Sequence, residues 1–346
     1  MTSSKVQWSS PSNIAVVKYW GKYGNQMPRN TSISLTLSEC KSITSLEWAT
    51  KKKSGGDLDL EFYFEGKKNA AFGEKTRKFL NENLYLMPFL RDYSLQISTE
   101  NTFPHSAGIA SSASGMSALA LCLMDMARST GSKIDVTGNT FTQNASVLAR
   151  LGSGSACRSL FEGAAVWGHH PQIEDSSDQY AVGLGERLND VFWGYHDDIV
   201  IISDEEKSVS SSAGHELMNN NAFSDLRFSI AQQNALKLMQ AMQFGDVKTF
   251  GEILEEEALM LHALMMTSHP SYILMKGGTL QVIEALRKFR KETSLPVYFT
   301  LDAGPNVHIL YPDTCKNQVG EFLDQFVLKS FQVINDKVGE GPQKLQ

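Results

Sequence analysis

The sequence predicts an α+β protein built in two halves, for three reasons. The chain has 346 residues, more than a single hydrophobic core usually serves. Strand-like and helical patterns are interleaved without a strict βαβ rhythm, which favours an α+β architecture. A polar stretch between Pro171 and Asp190 separates the two halves. We therefore predict an N-terminal domain over residues 1–185 and a C-terminal domain over residues 186–346.

The spacing of apolar residues predicts the elements of each half. In the first half, strands are expected over residues 14–17, 32–37, 43–48, 57–64 and 93–98, and helices over 71–84, 111–128 and 141–150. In the second half, strands are expected over 198–202 and 297–301, and helices over 223–243, 246–266 and 278–291. Gly66 is expected to form the turn that ends the 57–64 strand.

Composition and charge narrow the class of protein. With 42% hydrophobic and 20% charged residues, the chain has the composition of a soluble globular protein. A formal net charge of −6 argues against a general nucleic-acid binder, and no apolar run approaches the length of a membrane span. The scattered cysteines, Cys40, Cys122, Cys157 and Cys315, indicate neither a disulfide framework nor a zinc site. Without an apolar signal segment near Met1, a cytoplasmic location is expected.

A loop of small and hydroxylated residues from Pro104 to Gly115 precedes an apolar helical pattern. Small side chains let backbone N–H groups approach a ligand, and a helix N-terminus adds unpaired donors and the positive end of a dipole. This combination is suited to nucleotide phosphates, although no Gly-Lys-Ser/Thr closes the loop as in a Walker A motif. The alternative is an ordinary Ser/Gly loop before a core helix.

Lys18 ends a strand-like pattern and is the first candidate for chemistry. On a strand, it would share the apolar face of Ile14 and Val16. An ammonium there is costly unless an anion meets it. The alternative is that the strand ends by Val17 and Lys18 is solvated. The pattern leaves both interpretations open.

Arg158 follows a second Gly/Ser segment, Gly152–Ser155. Ser155 is expected to cap a short helix that carries Arg158 on its first turn. A guanidinium beside such a segment could clamp a carboxylate or phosphate through two hydrogen bonds. The alternative is a turn between helices whose arginine pairs with a nearby acid.

Asp302 stands where a predicted strand meets a turn rich in Gly, Pro and Asn. It is either a structural turn residue or a general base presented at the end of a strand. A hydroxyl-rich turn from Lys207 to His215 is a weaker candidate for binding. Together these features match the needs of phosphoryl transfer, which are positioning, charge neutralisation and a proton acceptor. From the residues alone, the chain is predicted to phosphorylate an anionic alcohol.

Four segments also resemble one known family in chain order: Asn13–Lys22, Phe103–Gly115, Gly152–Leu160 and Asp302–Asn306. They are similar to the diphosphomevalonate decarboxylase family of the GHMP kinase superfamily, from about residue 8 to residue 310. The resemblance implies a ribosomal-protein-S5-like N-terminal domain and a ferredoxin-like C-terminal domain, with the active site in the cleft between them. It also implies a homodimer that uses ATP and Mg²⁺ to convert mevalonate 5-diphosphate to isopentenyl diphosphate, ADP, phosphate and CO₂.

The resemblance assigns roles to individual residues. Asp302 would orient or deprotonate the 3-hydroxyl group, Arg158 would hold the substrate carboxylate, and Lys18 would offset negative charge on the transferring phosphoryl group. The implied substrate-binding residues are Asn13, Tyr19, Trp20, Gly21, Lys22, Ser153, Gly154, Ser155, Ala156, Cys157, Arg158, Ser211 and Ser212. The implied nucleotide-binding residues are Ser106, Ala107, Gly108, Ala110, Ser111, Ser112 and Ser114. No metal ligand is assigned.

Some positions depart from the family pattern. The stretch Leu60–Gly66 lacks an arginine that many members carry, and the loop Tyr23–Pro28 is shorter than usual. His215 stands where methionine is common, and Ser212 where threonine or arginine is common. The resemblance implies that these changes surround the 5-diphosphate, so a mevalonate 5-phosphate decarboxylase is an alternative. A mevalonate 3-kinase and an inactive binding paralogue are the other two.

Overall fold

The computed structural model describes residues 4–53, 55–104, 109, 111–135, 138–205 and 208–346. Its strands are β1 (Ser4–Val17), β2 (Lys22–Tyr23), β3 (Met27–Pro28), β4 (Ser32–Thr50), β5 (Asp59–Phe64), β6 (Lys67–Lys68), β7 (Tyr93–Asn101), β8 (Ala164–Trp167), β9 (Val182–Gly183), β10 (Tyr195–Ile201), β11 (Tyr298–Thr300), β12 (Val307–Pro312), β13 (Gln332–Lys337) and β14 (Gln343–Lys344). Its α-helices are α1 (Ala70–Glu82), α2 (Ser111–Thr130), α3 (Phe141–Gly152), α4 (Asp190–Trp193), α5 (Ser211–Leu217), α6 (Ser224–Phe244), α7 (Val247–Met266), α8 (Gly277–Thr293) and α9 (Lys316–Phe322).

The strands form two main sheets, one in each half of the chain. The larger sheet has the order β14-β1-β4-β7-β5-β6, with β8 paired to β4 and β9 paired to β8. Its described pairs are antiparallel except β5 with β7. The smaller sheet is antiparallel with the order β11-β12-β10-β13. Because β14 returns to β1, the last residues of the chain complete the first sheet.

Three large hydrophobic cores and two smaller ones hold these layers together. One core packs α1, α2 and α3 against one side of the larger sheet, with Leu80, Leu119 and Leu148 in its centre. Another packs α8 and α9 against the smaller sheet. A third joins β1, β4 and β8 to β10, α6 and α7. The two halves are therefore packed against each other, and the division between residues 185 and 186 stays a prediction.

β1 is much longer than the strand predicted over residues 14–17. It begins at Ser4 and passes through a polar segment that has no hydrophobic alternation. Its buried hydroxyl groups find partners across the structure, since Ser10 Oγ donates to the Ser159 carbonyl oxygen at 3.1 Å and Ser12 Oγ to that of Ile109 at 2.6 Å. Satisfied hydroxyl groups can be buried without the usual penalty, so the hydrophobic pattern missed this part of the strand.

β4 replaces the two separate strands predicted over 32–37 and 43–48. Its pairing with β1 shifts register between Pro11 and Asn13, opposite a bulge at residues 37–40. The bulge is held by the buried carboxylate of Asp336 on β13, which accepts the backbone N–H groups of Ser38, Glu39 and Cys40, each at 2.8 Å. A side chain distant in sequence therefore keeps the strand continuous across a break in its pattern.

The longer helices were predicted closely, whereas β8, β9, β12, β13, β14, α4 and α9 were not predicted. The helices expected over 71–84, 111–128, 141–150, 223–243, 246–266 and 278–291 correspond to α1, α2, α3, α6, α7 and α8. The turn at Gly66 is present, with a positive φ at both Glu65 and Gly66. Two details were wrong, because Ser153 rather than Ser155 precedes the 3₁₀ helix Gly154–Leu160, and Ser211 begins α5 instead of lying in a turn. None of the described helices has the length and apolar character needed to cross a membrane.

Candidate active site

A cavity of about 630 Å³ opens where the end of β1, the start of α2, the 3₁₀ helix Gly154–Leu160, α5 and the loop after β11 meet. Its described lining residues are Ala15, Lys18, Tyr19, Trp20, Lys22, Gln26, Lys75, Ile109, Ser111, Ser112, Gly152, Ser153, Gly154, Ser155, Arg158, Ser210, Ser211, Ser212, His215, Leu261, Asp302 and Ala303. This set holds four cationic side chains and one carboxylate. The cavity is therefore suited to a polyanion, although the net charge of the chain is −6.

Lys18 and Asp302 form an ion pair inside this cavity. Lys18 is 1% exposed, and its Nζ donates to Asp302 Oδ1 at 2.9 Å and to the Ala15 carbonyl oxygen at 2.6 Å. The strand ends at Val17, as the alternative interpretation expected, but the lysine is buried rather than solvated. The anion that meets it is the strand-end aspartate from the other half of the chain.

The main chain of Lys18 is also held, by one residue from each half of the chain. Its N–H donates to Glu257 Oε2 at 2.9 Å, and its carbonyl oxygen accepts from Asn30 Nδ2 at 3.1 Å. Glu257 lies fully buried on α7 and also accepts from Arg227 Nη2 at 2.5 Å and Asn234 Nδ2 at 2.9 Å. These contacts fix the position of Lys18 just beyond the end of β1.

Arg158 lies on the opposite wall and is 2% exposed. Its described acceptors are neutral oxygens, namely Asn13 Oδ1 at 3.2 and 3.3 Å, Ser34 Oγ at 3.1 Å and Ser32 Oγ at 3.0 Å. Burial lowers the pKa of the Arg158 guanidinium from its ordinary value. The sequence left open an ion pair between Arg158 and a nearby acidic residue. No such ion pair is found among the described residues. A buried guanidinium held by neutral acceptors is suited to receive an anion from the cavity.

His215 is buried between two aromatic rings beside Lys22. The centroid of its ring lies 4.4 Å from that of Tyr19 and 4.6 Å from that of Trp20. Its Nδ1 accepts the N–H of Gly21 at 3.0 Å. Gly21 has a φ of +102°, a conformation that favours glycine and directs this N–H toward the imidazole. Burial first, and the charge of Lys22 second, lower the pKa of His215 to about 3, so the ring is neutral near pH 7.

Gly154 allows the close packing of the cavity wall. A Cβ atom added there would lie 2.7 Å from Tyr19 Oη and 3.0 Å from the ring of Trp167. Contacts shorter than about 3 Å are not tolerated between such atoms, so a side chain at this position would displace the Tyr19 ring. The Gly/Ser segment is therefore needed for shape as well as for backbone donors.

A second cavity of about 390 Å³ adjoins the first. The two share Lys75, Ser111, Ser112, Gly152 and Ser153. The other described lining residues of the second cavity are Thr44, Phe62, Phe64, Phe72, Thr76, Phe79, Ile97, Thr99, Asn101, Gly115, Met116 and Leu119. Its lining is mainly aromatic and aliphatic, which contrasts with the cationic lining of the first cavity.

Several implied site residues lie behind the cavity instead of lining it. Asn13 supports Arg158, and the N–H of Gly21 is taken by His215. Ala156 and Cys157 are completely buried, with the thiol donating to the Gly154 carbonyl oxygen at 3.0 Å. Ser114 is also fully buried, and its hydroxyl is 2.7 Å from Ser42 Oγ. These residues occupy supporting positions behind the lining, because neighbouring residues of a tight turn or helix cannot all face one cavity. Their contact with a ligand stays a prediction.

Ser106, Ala107, Gly108 and Ala110 lie outside the described residues. The sequence-based list also missed several described residues of the first cavity: Ala15, Gln26, Lys75, Ile109, Gly152, Ser210, His215, Leu261 and Ala303. Lys75 is the most informative of these because it adds a cation to both cavities. It lies on the amphipathic helix α1, where a lysine carries no local signal of a binding role.

Comparison with known proteins decides the family. A model described as the diphosphomevalonate decarboxylase-like N-terminal domain matches residues 10–180, and one described as the mevalonate 5-diphosphate decarboxylase C-terminal domain matches residues 199–344. Diphosphomevalonate decarboxylase of Gibberella zeae is 30% identical over 334 residues, which cover 90% of this chain and 83% of that protein. The chain belongs to the diphosphomevalonate decarboxylase family.

Solved structures of this family share the whole fold. Mevalonate diphosphate decarboxylase from Staphylococcus aureus is 28% identical with a TM-score of 0.85, over 100% of this chain and 99% of that one. A structure of MDDEF in complex with MVAPP, AMPPCP and magnesium is 27% identical with a TM-score of 0.84, over 100% of both chains. The prediction of a two-domain α+β protein with the GHMP kinase fold is confirmed.

Proposed function

We propose that this chain catalyses the ATP-dependent decarboxylation of mevalonate 5-diphosphate, giving isopentenyl diphosphate, ADP, phosphate and CO₂. It is thus an ATP-dependent carboxy-lyase of the mevalonate pathway of isoprenoid biosynthesis. The observation that carries the proposal is that Lys18, Arg158 and Asp302 meet in one cationic cavity of a chain that belongs to this family.

The chemistry has two stages. The tertiary 3-hydroxyl oxygen attacks the γ-phosphorus of ATP and loses its proton. The bond between the γ-phosphorus and the ADP oxygen breaks, and ADP leaves. The C3–O bond then breaks with release of phosphate, the electrons of the C1–C2 bond form the C2=C3 double bond, and C1 leaves as CO₂. A tertiary alcohol is a poor leaving group until it is phosphorylated, and positive charge developing at C3 favours loss of CO₂. Phosphorylation of the 3-hydroxyl group therefore creates the leaving group that the decarboxylation needs.

The three central side chains divide this work. The Asp302 carboxylate orients the 3-hydroxyl group and accepts its proton. The Lys18 ammonium, 2.9 Å from that carboxylate, offsets negative charge on the transferring phosphoryl group. The Arg158 guanidinium holds the substrate carboxylate through its planar fork. Both cations come from the first half of the chain and the carboxylate from the second, so the packing between the halves assembles the site.

The start of α2 is proposed to hold the ATP phosphates. Ser111 and Ser112 line both cavities there, and Lys75 lies beside them. The first residues of this helix offer backbone N–H groups and the positive end of its dipole. The adjoining apolar cavity is suited to a nucleoside base. Its aromatic lining provides the flat surfaces against which a base packs.

Mg²⁺ fits the oxygen donors of this region. Among the described residues there is no group of three or more His, Cys, Asp or Glu side chains placed to hold a metal ion. This agrees with Mg²⁺, which proteins usually bind through one or two side chains together with substrate phosphates and water. The Ser111 and Ser112 hydroxyl groups are the candidate protein ligands. When bound, Mg²⁺ neutralises charge on the phosphate oxygens.

The wider organisation is part of the same proposal. Two domains divided between residues 185 and 186 are supported by the separate family models for residues 10–180 and 199–344. A cytoplasmic location is supported by four free and buried cysteines, which suit a reducing compartment. A homodimer is supported by the family resemblance and is tested by sedimentation velocity of the full chain.

A product assay tests the function directly. The full chain is given Mg²⁺, ATP and, in parallel, mevalonate, its 5-phosphate or its 5-diphosphate, and ADP, phosphate and CO₂ are followed together. We expect equal release of the three products, fastest with the diphosphate. ADP without CO₂ would identify a 3-kinase. Preference for the monophosphate would contradict the diphosphate assignment, and no turnover would indicate an inactive paralogue.

A further inference from the structure

His215 and the Lys18–Asp302 pair lie in parts of the cavity that differ in charge. The charge that acts on its ring within the described chain is that of Lys22. At the other end, the Asp302 carboxylate acts on Lys18 and Arg158. Since the reacting hydroxyl and carboxylate must lie with Asp302 and Arg158, the phosphorylated tail of the substrate extends toward Lys22 and His215.

The hydrogen bond from Gly21 determines the tautomer of His215. The Gly21 N–H is a donor, so the Nδ1 it reaches at 3.0 Å carries a lone pair. The ring is neutral near pH 7 because burial and the Lys22 charge lower its pKa to about 3. In a neutral imidazole the other nitrogen then carries the hydrogen. Nε2 is therefore a hydrogen-bond donor.

The Nε2–H has no hydrogen-bond acceptor within the described residues. The described contacts of the side chain are the Gly21 hydrogen bond and tilted ring contacts with Tyr19 and Trp20, at interplanar angles of 44° and 34°. Nε2 is not fully buried, and His215 lines the cavity. Two ring contacts and one hydrogen bond thus hold a neutral donor in the wall of the cavity.

We propose that His215 is a specificity-determining residue, whose Nε2–H donates a hydrogen bond to the 5-diphosphate of the bound substrate beside Lys22. This inference rests on the proposed function and identifies a contact within the same site. A neutral donor between two rings recognises phosphate oxygen without adding another charge next to Lys22.

Two substitutions separate the two ring nitrogens. His215→Asn places an amide oxygen near the position of Nδ1, so it keeps an acceptor for Gly21 and loses the Nε2 donor. His215→Gln places its amide nitrogen near the position of Nε2, so it keeps the donor and weakens the Gly21 contact. The control is His169→Asn, which changes an exposed histidine.

The measurement is steady-state kinetics of CO₂ release with mevalonate 5-diphosphate at saturating ATP-Mg²⁺. We expect His215→Asn to raise KM about 10- to 100-fold, the effect of losing a hydrogen bond to a charged group, with kcat within about threefold. His215→Gln should recover most of the affinity, and His169→Asn should match the unsubstituted enzyme. A purely structural role of His215 predicts the reverse order of the two variants, and an unchanged KM in His215→Asn would overturn the proposal.

A measurement on the unsubstituted protein guards against variants that fail to fold. With ¹⁵N-labelled histidine, the Nε2 resonance should report the Nε2–H tautomer and shift when mevalonate 5-diphosphate is added without nucleotide. An Nε2 signal that stays in place would refute the contact. If the unsubstituted enzyme releases no CO₂, the proposed function fails; if it does and KM is unchanged in His215→Asn, the His215 inference fails alone.

Discussion

Asp302 is the residue on which the proposed chemistry depends most directly. In Asp302→Asn, the amide cannot accept the hydroxyl proton and no longer pairs as a carboxylate with Lys18. We expect kcat for CO₂ release to fall by roughly 10²–10⁴, the range for a positioned proton acceptor, while nucleotide binding is kept. Stopped assays with calorimetric titration of an ATP analogue measure both quantities. Near-normal turnover would return Asp302 to the role of a turn residue, and Asp324→Asn, at an exposed position, is the matched control.

The substitution Arg158→Lys tests whether the planar shape of the guanidinium matters as well as its charge. Lysine keeps the positive charge but loses the planar fork that reaches Asn13, Ser32 and Ser34. We expect kcat/KM of Arg158→Lys to fall by about 100-fold, which corresponds to about 3 kcal/mol. The comparison is Arg187→Lys, which alters an exposed arginine. Equal kinetics for the two variants would exclude Arg158 as a clamp for the substrate carboxylate.

Among the elements, α2 has the clearest functional role. Its first residues line both cavities, and the rest of the helix packs in the hydrophobic core. Removing the Ser111 hydroxyl should weaken interactions with the nucleotide more than those with mevalonate 5-diphosphate. We expect the KM for ATP to rise about tenfold in Ser111→Ala, the cost of one hydrogen bond to a charged group. The KM for the other substrate should change little.

The control for this prediction is Ser129→Ala, near the other end of the same helix. Ser129 is exposed, and its hydroxyl group donates to the Asp125 carbonyl oxygen within the helix. Both KM values are measured for both variants by coupled ADP release. A rise confined to the KM for mevalonate 5-diphosphate would show that α2 does not hold the nucleotide.

Across the molecule, the Asp336 carboxylate is one of the links between the two sheets. Asp336 on β13 accepts three backbone N–H groups from the bulge of β4. We expect Asp336→Ala to lower the free energy of unfolding by roughly 3 kcal/mol, because charge-assisted hydrogen bonds are lost and a buried donor, the Cys40 N–H, is left without a partner. Urea unfolding followed by far-ultraviolet circular dichroism measures this change, and Asp324→Ala on the surface is the control. A loss below about 0.5 kcal/mol would show that water replaces the carboxylate.

Local pattern was enough to predict much of this architecture. The helices α1, α2, α3, α6, α7 and α8 follow from apolar periodicity, because each buries one face and the spacing of that face is local information. The Gly66 turn and the strand before Asp302 follow from residue type in the same way. Residue type and position also singled out Lys18, Arg158 and Asp302 as candidates, and the structure places all three in one cavity.

Contacts between distant segments settled the rest. The sequence left open whether Lys18 is buried, and the answer lies in Asp302 and Glu257, more than 230 residues away along the chain. The continuity of β4 depends on Asp336, and the neutral donor form of His215 depends on Gly21. Such effects cannot be read from neighbouring residues, because the free energy of a buried polar group is set by whichever partners the fold brings within hydrogen-bond distance. The chain's own pattern thus specifies its elements and its candidate charges, whereas packing between the two halves decides which charges meet and in what protonation state.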